Sequence, residues 1–320
     1  MIVNVILLIV GFIILIKGAD IFVDGAKSIA GNFKVSKMLI GLTIVAFGTS
    51  APEFAVSVKS MISGSGDIVL GNVVGSNILN ILLILGTSAL FHSLSVKNNT
   101  VKKELPFIIL ITCAFSALML DSVFDKGEIN AFLRGDGIVL LMFFAVFIYY
   151  LISMARNKID DDEEDEKYLS MGKAVLFTLG GLVAIVLGSN SVVDAAVYIA
   201  SHLGVSEKMI SLTIIALGTS LPELVTSVTA TRKGEYDIAI GNVVGSNIFN
   251  IGMVIGIPVA IFGAIRTVSF NYIDIIVMIA AALLLFLFSF KDHKIDRKEG
   301  IMFLVVFVVY YAYVIVTGIK

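Results

Sequence analysis

Long apolar stretches separated by short polar breaks run along the chain at about 2 to 26, 37 to 58, 67 to 91, 104 to 121, 136 to 154, 171 to 200, 208 to 230, 237 to 264, 270 to 290 and 299 to 318. Each is close to the roughly 20 residues an α-helix needs to cross a bilayer. The pattern therefore predicts an all-α polytopic membrane protein with ten transmembrane helices. The first stretch is apolar from Met1 onward, with no basic segment before it and no small-residue cleavage pattern after it, so it reads as a membrane helix and not as a removable signal. The one long hydrophilic interruption is Arg156 to Lys167, with the acidic run from Asp160 to Glu166. It divides the chain into a first five-helix unit, 1–154, an acidic linker, 155–170, and a second five-helix unit, 171–320.

The two units are copies. Shifting the sequence by 170 positions aligns them without a gap, and about 34 of the 73 positions from Gly18 to Leu90 are then identical. Gly48-Thr49-Ser50-Ala51-Pro52-Glu53 falls on Gly218-Thr219-Ser220-Leu221-Pro222-Glu223, and Gly71-Asn72-Val73-Val74-Gly75-Ser76-Asn77 falls on Gly241-Asn242-Val243-Val244-Gly245-Ser246-Asn247. An odd number of crossings per unit makes the second copy enter the membrane from the opposite side. Inverted repeats of this kind are a recurring plan of secondary transporters, with the substrate held near the midplane where the repeats meet.

Composition agrees and narrows the function. Hydrophobic residues make up 58% and charged ones 15%, with a mean hydropathy of +1.00, which excludes an ordinary soluble enzyme. A formal net charge of -2 supplies no basic field for nucleic acid. The single cysteine, Cys113, excludes an intramolecular disulfide and a cysteine-rich metal site. Most loop Lys and Arg, among them Lys34, Lys102, Lys103, Arg156, Arg232, Lys233 and Arg297, fall on the face that carries the linker. The positive-inside rule then places the linker in the cytoplasm and both termini outside, in a multi-pass cell membrane protein.

The repeated segments carry the chemistry. Proline has no backbone N–H and its ring displaces the carbonyl four residues earlier, so Pro52 and Pro222 break their helices and free the carbonyls of Gly48 and Gly218. Thr49 and Glu53 lie four apart and share a helical face, as do Ser76 and Asn80, Thr219 and Glu223, and Ser246 and Asn250. Carboxylates, hydroxyls, amide oxygens and freed carbonyls, almost without nitrogen or sulfur donors, suit calcium, magnesium, manganese or sodium. A carboxylate at the bilayer centre costs at least about 2.5 kcal/mol, which makes an intramembrane Glu a functional residue by default. Two such carboxylates balance one divalent ion or two or more monovalent ions, a physical route to exchange.

These paired segments resemble the two alpha repeats of the calcium/cation antiporter superfamily, and most closely its short prokaryotic sodium/calcium exchangers. The resemblance covers essentially the whole chain. It implies a central diamond of ion sites and alternating access, in which the first and sixth helices slide against the other eight. Residue by residue, it implies that Glu53 and Glu223 bind calcium and that Thr49, Ser50, Ser76, Thr219, Ser220 and Ser246, with the carbonyls of Ala46 and Ala216, share the sodium sites. Asn80 and Asn250 would complete the centre; exchangers of this type often have Asp at the position of Asn250, so the charge here is lower by one. The partners implied are calcium, sodium and the lipid bilayer, with no cofactor, no nucleic acid and no obligate protein partner.

Competing readings bear on the same residues. The glycines of the second motif allow close helix packing by themselves, and Ser76 and Ser246 have back-bonding within the helix as an alternative. Asn72, Asn77, Asn242 and Asn247 read as hydrogen bonders between helices. Lys17, Asp20, Asp24, Asn190 and Asp194 either line an ion path or pair with one another. The acidic linker reads as solvated, and His92, His202 and His293 sit near helix ends with no metal role. Proton- or potassium-coupled exchange is the alternative within transport. A channel, and an intramembrane enzyme with Ser50 or Ser220 as nucleophile, fit the duplicated single-chain site less well.

Overall fold

In this computed structural model, residues 1–120, 130–156, 167–205, 214, 216–267 and 272–319 are described. The acidic run and the beginning of the predicted seventh crossing, 208–213, lie outside them. The described chain is almost entirely helical. Helix α1 spans Ile2–Phe33. Helices α2, Lys37–Thr49, and α3, Ala51–Ile62, meet at a bend of 44°. Helix α4 is Gly66–Phe91, and α5 is a wide turn at Thr100–Glu104 that continues as Leu105–Met119. Helices α6, Arg134–Arg156, and α7, Met171–His202, flank the linker. The second half continues with α8, Ala216–Thr219, α9, Leu221–Arg232, α10, Tyr236–Phe262, α11, Tyr272–Asp292, and α12, Arg297–Ile319. Among the described residues, seven helices are long and apolar enough to cross a membrane, and eight if the bent pair counts as one span.

The ends match the hydrophobic pattern to within a few residues, with α1 the exception. It runs seven residues past the predicted 26 because its polar end is held on the linker end of the bundle. Asn32 Nδ2 donates to the Leu169 carbonyl at 2.8 Å, and the amide of Leu169 donates to Ser28 Oγ at 3.1 Å. The helix stops at Lys34, whose left-handed φ of 53° ends the hydrogen-bond ladder.

Helices α1 and α7 lie along each other on a glycine seam. A Cβ at Gly181 would sit 2.8 Å from the carbonyl oxygen of Gly18, and one at Gly188 would sit 2.9 Å from that of Gly11. Only a missing side chain permits that approach. A buried apolar cluster joins this pair to the rest at the linker end, through Phe22, Val23 and Ala26 of α1, Ile40 and Val45 of α2, and Ile238 and Ala239 of α10. The larger core runs through α4, α5, α6, α10 and α11, where Phe144 and Phe147 of α6 pack edge-on against Phe249 of α10.

Among the described residues, four short strands clasp the ends of the bundle. At the linker end β1, Leu94–Ser95, pairs antiparallel with β4, Lys294–Ile295. At the far end β2, Asn130–Phe132, pairs antiparallel with β3, Ile265–Thr267. Each pair takes one strand from each half of the chain.

Candidate functional site

The two prolines set the site. Ser50 (φ -81°, ψ 2°) and Ser220 (φ -90°, ψ 4°) interrupt their helices, and α3 and α9 restart with Pro52 and Pro222 inside the first turn, where a missing N–H costs nothing. Glu53 and Glu223 fall in those same first turns, near the positive end of the helix dipole. Both are 1% exposed. The carbonyl of Gly218, freed by Pro222, accepts a hydrogen bond from Ser189 Oγ of α7 at 3.1 Å; the matching position in α1 is Ala19, which has no hydroxyl.

The structure brings the repeated polar residues of both halves to one place. Ser50 Oγ donates to Glu223 Oε1 at 3.3 Å, and Ser220 Oγ donates to Ser76 Oγ at 3.3 Å. Thr49 Oγ1 donates to Asn242 Oδ1 at 2.9 Å and lies 3.4 Å from the Ala46 carbonyl. Thr219 ends α8 immediately before the interruption at Ser220. Ala216 opens α8; only its backbone is described.

Asn80 and Asn250 are placed by something the apolar pattern does not encode. Each begins a π turn inside its helix, Asn80–Leu85 and Asn250–Ile255, and wide turns of this kind recur at functional sites. Their amides are tied across the repeats: Asn80 Nδ2 donates to Asn247 Oδ1 at 3.0 Å and Asn250 Nδ2 donates to Asn77 Oδ1 at 3.1 Å. With the nitrogen engaged, the amide oxygen is left without a hydrogen-bond partner in both cases. Glu53 Oε1 and Oε2, Glu223 Oε2 and the Ser246 hydroxyl are also buried without one. Orphan buried oxygens are rare in folded proteins and costly. Here the carboxylate and amide oxygens come from matched positions in the two halves, while of the matched hydroxyls Ser246 is unpartnered and Ser76 is not, and carboxylate, amide and hydroxyl oxygens are the donor chemistry of a hard cation.

Asn72 and Asn242 donate to the backbone carbonyls of Glu53 and Glu223, both at 3.4 Å, and so tie α4 to α3 and α10 to α9. With Asn77 and Asn247 they serve the helix-to-helix role expected of them, and Ser246 is not back-bonded. Asp20 and Asp24 do not reach the central group; Lys233 holds both. Two further acids escaped the sequence reading, Glu104 and Asp274, which accept the hydroxyls of Tyr150 and Tyr310. Each tyrosine lies on another helix, 46 and 36 positions away, and no local spacing announces it.

The two ends of the site differ. At the linker end α2 presses on α10: a Cβ at Gly241 would lie 2.9 Å from Gly41 Cα, and Ile238 is 0% exposed. At the far end the matching residues of α4, Gly71 and Ile68, are exposed among the described residues, Ile68 by 54%, and the segment that matches the start of α2, 207–213, lies outside them. A shallow apolar groove also lies along α3, lined by Phe54, Ala55, Val58, Lys59, Ile62 and Ser63, and none of the central polar residues lines it.

A fold of apolar helices around buried acids and amides defines a membrane cation transporter. The family model described as sodium/calcium exchanger protein matches residues 3–153 and 173–316, and the chain belongs to that family of antiporters. The sodium/calcium exchanger MaX1 of Methanosarcina acetivorans is 34% identical, over 98% of this chain and 99% of its own length. The inner membrane protein YrbG of Escherichia coli is 34% identical over 82% of this chain and 81% of its own. A solved structure of the sodium-calcium exchanger NCX_Mj, soaked with sodium and calcium, superposes with a TM-score of 0.84 at 33% identity, covering 98% of both chains.

Proposed function

We propose that the protein exchanges calcium for sodium across a cell membrane by alternating access, extruding calcium on the inward sodium gradient, with Glu53 and Glu223 binding calcium directly. The observation that carries this reading is the set of buried oxygens without partners at Glu53, Glu223, Asn80, Asn250 and Ser246. Two carboxylates balance one calcium or two sodium ions, so either load neutralises the site and both together overfill it. Thr49, Ser50, Ser76, Thr219, Ser220 and Ser246, with the carbonyls of Ala46 and Ala216, supply the neutral oxygens of the sodium sites, and the Asn80 and Asn250 oxygens close the centre.

The chain makes ten crossings as two inverted five-helix repeats, 1–154 and 171–320, joined by a cytoplasmic linker at 155–170, with both termini outside. Reciprocal contacts support the inversion. Gly11 meets Gly188 as Gly181 meets Gly18, Asn80 bonds Asn247 as Asn250 bonds Asn77, and each strand pair takes one member from each half. A contact repeated with the partners' roles exchanged is what a two-fold axis between the repeats produces.

Two neutral asparagines at the centre favour a second reading, coupling to potassium or protons. Calcium-45 uptake into proteoliposomes preloaded in turn with sodium, potassium or acidic buffer, at clamped membrane potential, separates the two. Uptake driven by internal sodium alone is the expected result; uptake driven by potassium or protons overturns sodium coupling and leaves the calcium site standing.

A further inference from the structure

At the linker end a short turn grips the α1–α7 pair. Lys233, Gly234 and Glu235 connect α9 to α10, with Gly234 at φ 79° and the Glu235 amide donating to the Ala230 carbonyl at 2.8 Å. Lys233 Nζ donates to the Asp20 carbonyl and to Asp24 Oδ1 of α1, both at 2.7 Å. The carboxylate of Glu235, 5% exposed, is shared: Oε1 meets Lys27 Nζ of α1 at 2.6 Å and Oε2 meets Lys37 Nζ of α2 at 3.2 Å. One turn thus ties α1 to α2, α9 and α10, directly over the apolar cluster that closes this end.

The far end has the same turn without the grip. Ser63, Gly64 and Ser65 connect α3 to α4, with Gly64 at φ 72° and the Ser65 amide donating to the Ser60 carbonyl at 2.8 Å. The backbone is repeated and Asp194 of α7 keeps the place of Asp24, but Ser63 and Ser65 stand where Lys233 and Glu235 stand, so this turn offers Asp194 no cation, and Asn190 and Val197 stand where α1 has Asp20 and Lys27. A site made of two matched repeats would otherwise open to either end at similar cost. A buried carboxylate that loses the ammonium group of Lys27, and a Lys233 that loses Asp20 and Asp24, when α1 slides away make one of those openings costlier.

We propose that Asp20, Asp24 and Lys27 of α1, Lys37 of α2, and Lys233 and Glu235 form a one-sided ionic latch that holds the linker end closed and sets the resting exchanger open at the far end. This rests on the alternating-access reading for its meaning, but its test reads conformation without transport. In full-length protein lacking its native thiol (Cys113→Ala), a single cysteine is placed at Ala239, in the linker-end seal, or at Ile68, at the open end, and maleimide labelling rates are measured in detergent.

Replacing Lys233 and Glu235 with serine gives both ends the same turn. Labelling at 239 is expected to rise about tenfold and labelling at 68 to fall, the reciprocal change of a population shift of about 1.4 kcal/mol. Lys27→Gln, which removes one partner of Glu235 and keeps the turn, moves both rates in the same directions by less, and the exchange Asp24→Lys with Lys233→Asp restores slow labelling at 239. Unchanged rates at both positions in Lys27→Gln and in the double serine variant overturn the latch, and so does a rise at 239 with no fall at 68, which marks mere loosening. A protein that shows the reciprocal shift yet exchanges no calcium for sodium loses the functional reading and keeps the latch.

Discussion

An unpartnered carboxylate inside the bundle is tolerated only where something neutralises it. Glu53→Gln and Glu223→Gln keep the shape and remove the charge; each is expected to lower calcium-45 uptake by at least about a hundredfold, since a lost charge-assisted interaction of about 3 kcal/mol corresponds to that factor. The variants should still purify as folded monodisperse protein, and substantial uptake in either removes both residues from the calcium site. Asn250→Asp asks a different question. The Asn250 amide donates to Asn77 Oδ1, and a carboxylate there would set oxygen against oxygen unless Asn77 turned its own amide round. The added charge is expected to change the sodium dependence of uptake or the charge moved per cycle, read by current in voltage-clamped proteoliposomes. The carboxylates, serines and threonines were legible from repetition and spacing. The tie of each central amide to the opposite repeat was not, because its partners lie 167 and 173 positions apart.

Helix breaks and helix widenings differ in how openly the chain announces them. Proline announces the break at Ser50 and Ser220, because its ring cannot follow a carbonyl in an unbroken ladder. The π turns at Asn80 and Asn250 have no such signature in the residues that form them. The break in the second repeat is also braced from outside. Ser189→Ala removes the donor to the Gly218 carbonyl and is expected to cost about 0.5–1.5 kcal/mol in the stability of the α7–α9 region, checked by thermal unfolding in detergent. The glycine seam of α1 and α7 admits no such economy. Gly181→Val sets a branched side chain against Gly18, and overpacking of about 1–3 kcal/mol or more should lower the melting temperature or abolish the fold. The paired Lys233 and Glu235 show where sequence reading stops: in the linear pattern they are an ordinary polar break, and their partners on α1 lie about two hundred positions away.

The whole molecule is two copies of one plan, and the ionic turn at Lys233 and Glu235 is present in only one of them. The duplication, the two proline breaks and the apolar stretches that form long helices among the described residues could be read directly, because membrane length and proline chemistry act locally. Which end is closed could not, since it depends on contacts between halves. That inequality predicts how the two ends respond to bulk. Gly71→Leu adds volume at an exposed position and should leave the melting temperature nearly unchanged. If the far end must close as the linker end does through Gly41 and Gly241, the added side chain should nevertheless slow calcium exchange by about tenfold or more, the effect of about 1.4 kcal/mol on one conformer. Equal exchange rates in wild type and variant would show that α4 need not approach its neighbour at that position. The strand pairs carry a consequence for biogenesis. Leu94 finds its partner only in Ile295, so at a synthesis rate of about 5–20 residues per second the β1 edge waits roughly 10–40 s for its complement to leave the ribosome. That edge stays unpaired until the turn after α11 has been made, and the two halves, translated as separate chains in one cell, have in these strands the clasps with which to find each other.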